Sequence, residues 1–139
     1  MGEVRASVVL ENGADRELVR RGALVASDVR RLEVEMLVDT GAVVSLLPQD
    51  MVEALGLALI DRVIVSLAND DRVELPTAGP IVLTTVGRTM HTDCLVGPSE
   101  CEPLLGQIVL ESLDLIVDPT RHQLTVQPES PYKPTLKLK

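Results

Sequence analysis

A chain of 139 residues holds one domain with a modest core and is too small for two lobes. Hydrophobic residues make up 45%, which excludes a disordered chain, and with no Phe, no Trp and only Tyr132 among the aromatics the core has to be aliphatic. Thirteen basic residues against 21 acidic ones give a formal charge of -8, which argues against a nucleic-acid partner, and no apolar run has transmembrane length, which argues against a membrane span.

The first residues carry no signal-peptide core, so a cytoplasmic location is the expectation. Val4, Ala6, Val8 and Leu10 alternate with more polar neighbours and predict a half-buried strand. Asn12-Gly13 is a turn signal. Residues 14–28 are the least readable stretch: Arg16 to Arg21 fits either a helical turn or a strand on a long hairpin arm. Leu32 to Val38 alternates as a strand and runs straight into Asp39-Thr40-Gly41-Ala42, after which Val43 to Leu47 is mostly apolar again.

Pro48 stands at a first helical position, Asp50 lies in the first turn, and Gly56 follows the end, so a short amphipathic helix presenting Met51, Val52 and Leu55 is expected. Leu59 to Leu67 and Arg72 to Leu75 read as strands around a polar hairpin tip, Ala68-Asn69-Asp70-Asp71. Ile81 to Val86 and Thr89 to Val96 are expected to form a hairpin through Gly87-Arg88. A short helical run follows Pro103-Leu104-Leu105-Gly106-Gln107. Asp114 to Asp118 and Gln123 to Val126 close the series as short strands. Pro128 to Lys139 contains three prolines, which predicts disorder or an arm on a neighbour, with Thr135 to Lys139 as a short edge strand. Many short strands with one or two small helices indicate an all-β, barrel-like domain.

Chemistry concentrates at Asp39. A carboxylate ending an apolar strand is costly to bury without a partner. Gly41 permits a tight turn and close backbone approach, Thr40 supplies a hydroxyl, and Ala42 adds little bulk. Asp and Gly are also ordinary turn residues, so the tripeptide gains its meaning from its apolar flanks and from the Leu104-Leu105-Gly106 segment downstream. His91 and His122 are isolated and read as surface or strand residues; Cys94 and Cys101, outside any metal-ligand pattern, allow a disulfide across a loop but in a cytoplasm read as free thiols. No metal or other cofactor is expected.

Asp39-Thr40-Gly41-Ala42 and Pro103-Leu104-Leu105-Gly106-Gln107, in that order, resemble the retropepsin-like aspartic proteases, in particular their small soluble bacterial and archaeal members. The resemblance runs from Leu32 to Val126. It implies a single-lobed, closed retropepsin-like barrel over residues 1–127, followed by a Pro-rich C-terminal tail at 128–139. It implies an aspartic endopeptidase in which Asp39 is catalytic. With one Asp-Thr-Gly per chain, the carboxylate pair forms across a homodimer that takes a peptide or protein substrate.

By the same resemblance, Thr40 bonds across the twofold axis and the Gly41 amide holds the carboxylate in plane. Leu104, Leu105 and Gly106 support the loop beside Ala42, and Ala68, Asn69, Asp70 and Asp71 form the tip of a substrate-covering flap. Two features depart from the pattern: the tip has no glycine, and Val43-Val44 stands where retroviral enzymes carry acidic groups. A non-catalytic dimeric β-domain, acting as a peptide-binding or scaffolding module with Asp39 as a polar latch, is the alternative. An unrelated monomeric β-barrel with Asp39 in an exposed turn is the third.

Overall fold

The computed structural model describes residues 2–138. Its chain order is β1 (Arg5–Asn12), α1 (Gly13–Arg20), β2 (Arg31–Val38), β3 (Leu46–Pro48), α2 (Gln49–Ala54), β4 (Ala58–Ser66), β5 (Arg72–Thr85), β6 (Arg88–Gly97), β7 (Leu104–Leu105), α3 (Gln107–Leu113), β8 (Leu115–Asp118) and β9 (Gln123–Val126). The main sheet runs β1-β2-β7-β3-β6-β5-β4, and β1 also pairs with β5. Six strands therefore form a ring, with β4 attached outside on β5. The β8–β9 hairpin is a separate two-stranded sheet.

Alternation dictates which side chains enter the ring. In β1, Ala6, Val8 and Leu10 are buried, and they stand opposite Met36, Val34 and Leu32 of β2. Leu47, Leu55, Ile81, Leu83, Leu105, Val109 and Leu113 complete the fully buried centre. It is wholly aliphatic, and Tyr132 is almost completely exposed. Among the described residues no helix is long and apolar enough to cross a membrane.

Asn12-Gly13 does not turn the chain into a hairpin: it starts a helix. The Asn12 Oδ1 accepts the Asp15 amide at 3.0 Å, and its Nδ2 donates to the carbonyls of Leu55 and Gly56 at 2.9 and 3.2 Å. Asparagine is a preferred N-cap, and here the same side chain ties the corner to the end of α2. The open choice at residues 14–28 resolves as α1 followed by a 3₁₀ turn at Ala26–Asp28. Asp15, buried on α1, accepts the Arg30 guanidinium at 2.9 and 3.0 Å and the Arg30 amide at 3.0 Å. The Arg30 hydrogen bonds hold its carboxyl below the usual range.

The strand expected to stop at Leu75 continues as β5 to Thr85. Its two prolines are tolerated because neither interrupts a ladder on both sides. Pro76 precedes the first pairing with β6, which begins at Thr77. Pro80 falls at the irregularity where β5 ends its pairing with β4 at Gly79 and takes up β1 at Ile81.

The β5–β6 turn is Val86-Gly87, one residue earlier than expected, with both residues at positive φ (51° and 73°) and Thr85 paired to Arg88. That shift sends Arg88 inward, because a one-residue change of register swaps strand faces. Arg88 is only 7% exposed. It donates to the Leu113 and Asp114 carbonyls at 2.8 and 3.1 Å and to the Ser130 carbonyl. A buried guanidinium thus caps the C-terminal end of α3 and pins the start of the tail. The Ser130 hydroxyl bonds Thr135 at 2.9 Å, and the Thr135 amide donates to Asp114 Oδ2 at 2.9 Å. That amide, then the Ser130 hydroxyl, hold the Asp114 carboxyl below its ordinary value. Contrary to the expected edge strand, residues 135–138 adopt no strand; Lys139 lies outside the described residues.

Candidate active site

Asp39 leaves the end of β2 exactly where that strand gains a parallel neighbour, β7, with Leu37 opposite Leu104 and Val38 opposite Leu105. The Asp39 amide donates to the Leu105 carbonyl at 3.0 Å, so the backbone of the aspartate is fixed by the Leu-Leu segment itself. The Gly41 amide donates to Asp39 Oδ1 at 3.0 Å, and the Ala42 amide returns to the Asp39 carbonyl at 3.1 Å. The carboxylate is oriented by its own turn.

The loop is then stitched to the start of α3. The Gln107 amide donates to the Ala42 carbonyl at 2.7 Å, and the Ile108 amide to the Val43 carbonyl at 3.0 Å. Gly106 is the point of closest approach: a Cβ there would stand 2.5 Å from the Val44 carbonyl carbon, 2.7 Å from its oxygen and 2.9 Å from the Ser45 nitrogen. Only glycine lets the two backbones meet in this way. The structure thus brings Asp39, Thr40, Gly41 and Ala42 together with Leu104, Leu105 and Gly106.

Ser45 belongs to this assembly and sequence reasoning passed over it. It is 3% exposed; its Oγ accepts the Gly106 amide at 3.0 Å and its carbonyl accepts the Leu95 amide at 2.9 Å. The available signal was a lone hydroxyl inside the run Val43-Val44-Ser45-Leu46-Leu47, since a buried polar group needs a partner.

Asp39 is half-buried, whereas Thr40 and Gly41 are exposed and Val43 is 73% exposed. Two grooves flank the loop. One, of about 810 Å³, runs from Thr40 along α3 and β8 to Thr135, Leu136 and Lys137. The other, of about 460 Å³, is lined by Asp39, Thr40, Val38 and Glu3 among others. Thr40 and Val117 line both.

Ala68, Asn69, Asp70 and Asp71 lie apart, at the exposed tip between β4 and β5. Asp70 takes the left-handed conformation (φ 68°) that a glycine would otherwise supply, and the Asn69 side chain accepts the Asp71 amide at 3.1 Å. The Leu67 amide closes the tip onto the Asp71 carbonyl at 2.7 Å. Asp and Asn are the non-glycine residues best suited to such a position, which is how the tip dispenses with glycine. Below it, Val63 opposite Leu75 and Val65 opposite Val73 give the hairpin an apolar face, while Arg62 pairs with Glu74 on the other. Among the described residues no hydrogen bond links the tip to loop 39–42.

His91 and His122 are both exposed. Cys94 and Cys101 are free. Burial, reinforced by Asp93, pushes the Cys94 thiol up to about 12, which leaves it inert as a nucleophile. Among the described residues no three His, Cys, Asp or Glu side chains gather as a metal-holding group.

The same fold occurs in solved structures. The EIAV protease, determined with the inhibitor HBY-793, matches with a TM-score of 0.54 and 18% identity over 80% of this chain and 88% of its own. The retroviral protease-like domain of Ddi1 from Leishmania major matches with a TM-score of 0.56 and 13% identity over 92% of this chain and 90% of its own. These likenesses define the class: an all-β, retropepsin-like fold. No functionally curated protein matches the sequence. The family described as "gag-polyprotein putative aspartyl protease" matches residues 26–112, more than half of the chain, and the chain belongs to that family.

Proposed function

We propose that the protein is an aspartic endopeptidase whose active site is completed by a second copy of the chain. The observation that carries this reading is the Asp39 loop: its carboxylate is oriented by the Gly41 amide, its backbone is clamped by Leu105, and its outer residues Thr40, Gly41 and Val43 face solvent. A single chain has one such loop, so a pair of carboxylates requires two chains related by a twofold axis. In that arrangement Thr40 bonds across the axis, and the β4–β5 tip, residues 68–71, closes over an extended peptide with its apolar face toward the substrate.

Two close carboxylates do not both ionise cheaply, so the pair holds one proton, as in the aspartic proteases generally. The ionised Asp39 takes a proton from a water, whose oxygen attacks the scissile carbonyl carbon. The protonated Asp39 donates to the carbonyl oxygen; the Asp39 that took the water's proton then passes it to the amide nitrogen, and as the C–N bond breaks the new diol returns one proton to the other Asp39, leaving an acid, an amine and a pair that again holds one proton. The protease domain is residues 1–127 and the tail 128–139, and the setting is cytoplasmic, a placement supported by the two free cysteines.

The pH dependence tests this. Below the lower titration step both carboxyls are protonated and no base remains; above the upper step both are charged and no acid remains. Measured from about pH 3 to about pH 9, hydrolysis of a peptide library should trace a bell highest on the acidic side of neutrality, as a site that needs one acid and one base requires. A peptide carrying a hydroxyl in place of the attacked carbonyl should bind best at the same pH. Activity that is flat with pH, or that needs added metal or thiol, would contradict the mechanism.

A further inference from the structure

The face of the sheet that carries Asp39 also carries charges that the hydrolysis does not use. Residues opposed in a ladder point to the same side, so Arg5 of β1, Leu37 of β2 and Leu104 of β7 share one face. It is the face turned away from the ring's interior, since Ala6, Met36 and Leu105 at the alternate positions are buried. Asp39, two residues past Leu37 and still held in the ladder by its amide, emerges on that side about 7 Å further along. Leu37 and Leu104, both half-buried, form a small aliphatic floor beside the carboxylate.

Arg5 bridges two glutamates at the rim of this floor. Its guanidinium donates to Glu3 Oε2 at 3.0 Å and pairs with Glu102, which lies just ahead of β7. One cation stands between two carboxylates, so the cluster keeps one uncompensated negative charge. The second oxygen of each glutamate accepts no hydrogen bond from the described residues. All three side chains stay open to solvent, 41% for Arg5, 42% for Glu102 and 67% for Glu3. Glu3 and Leu37 line the smaller groove together with Asp39, and among the described residues no basic side chain lines it. An aliphatic floor with carboxylate oxygens at its rim matches a side chain with an apolar stem and a cationic head. An acidic side chain would meet two carboxylates and an arginine that both already hold.

We propose that Glu3 and Glu102, spaced by Arg5, read a Lys or Arg side chain of the substrate next to the bond that Asp39 cleaves. The stem lies over Leu37 and Leu104, and the head reaches the free oxygens of the two glutamates. A twofold axis supplies one such subsite on each side of the cleaved bond. This rests on the reading of Asp39 as catalytic and adds the substrate class: cationic peptides, which the chain's formal charge of -8 also draws in.

Peptide pairs that differ in one side chain beside the cleaved bond, Lys against the uncharged norleucine, test it at the pH of highest activity. Wild-type kcat/KM should favour the Lys peptide by about fivefold or more at low salt, and high salt should shrink the ratio. Glu3→Gln with Glu102→Gln should bring the ratio to one or below, because the rim then carries only Arg5. Arg5→Gln should move it the other way, uncovering both carboxylates and raising the preference for Lys. The ratio within each variant carries the result, so a general loss of activity does not mimic it. An enzyme that cuts both peptides equally, a Lys preference that survives the double substitution, or cleavage of other peptides but neither of these overturns the subsite and leaves the Asp39 reading standing. A chain that cuts no peptide at all overturns both.

Discussion

Asp39→Asn is expected to lower peptide hydrolysis by about a thousandfold or more, the scale of losing a positioned acid–base pair. The amide is nearly the same shape as the carboxyl, and the Gly41 amide still finds an oxygen acceptor in its place. The Asp39 backbone bond to Leu105 does not involve the side chain at all. Fold and thermal midpoint should therefore stay as in the wild type. Dimer affinity should hold or rise, because replacing both carboxyls removes repulsion at the axis. Hydrolysis, a melting curve and a sedimentation mass on one preparation check all three. Wild-type activity in this variant, with contaminating protease excluded, would place the chemistry elsewhere in the chain.

Gly106→Ala is expected to be the most damaging small change outside the carboxylate. The added methyl meets backbone atoms of Val44 and Ser45, not the end of a flexible side chain that could swing away. The 42–45 loop has to move off the start of α3, straining the bonds from Gln107 to Ala42, from Ile108 to Val43 and from Gly106 to Ser45. A loss of about 3 kcal/mol of stability follows from overpacking together with broken buried hydrogen bonds. Ser45→Ala is the graded companion: it leaves the buried Gly106 amide without its acceptor and should cost about 1–3 kcal/mol. Urea unfolding gives both values, and hydrolysis should fall further than the unfolded fraction alone explains, since this loop aims Asp39. An alanine at 106 that is silent in both assays would show that the two backbones do not press together.

What the sequence disclosed, and what it concealed, follows from the range of the forces involved. The alternation of β1 and β2 and the Asp39–Gly41 turn are written in adjacent residues, as is α2, although Pro48 stands before it as an extended N-cap and not at its first helical position, and the Leu104-Leu105-Gly106 segment is recognisable as the support of the turn. Asn12 looked like a turn because its side-chain acceptor role and its donor role differ in range. The cap on Asp15 is local, whereas the bonds to Leu55 and Gly56 depend on a segment more than forty residues away. The strand expected to stop at Leu75 runs on because β5 exchanges β4 for β1 around Pro80, and nothing nearby in sequence reveals that exchange. Arg88 was assigned to a turn since glycine-arginine is a good turn pair; only the left-handed Val86 moves the register by one and buries the guanidinium against α3 and Ser130. Ser45 stayed hidden for the same reason as Arg88. Each satisfies backbone groups brought close by the closing of the ring, so its partners are legible only once the fold exists.

The central claim is that one active site takes an Asp39 from each of two chains, and mixing the wild type with Asp39→Asn tests it most directly. Equal amounts of the two, left to exchange subunits at constant total protein, should retain about one quarter of the wild-type activity, because only dimers with both carboxyls turn over. Retention of about one half, the simple dilution of independent sites, would contradict a shared pair and confine the chemistry to a single chain.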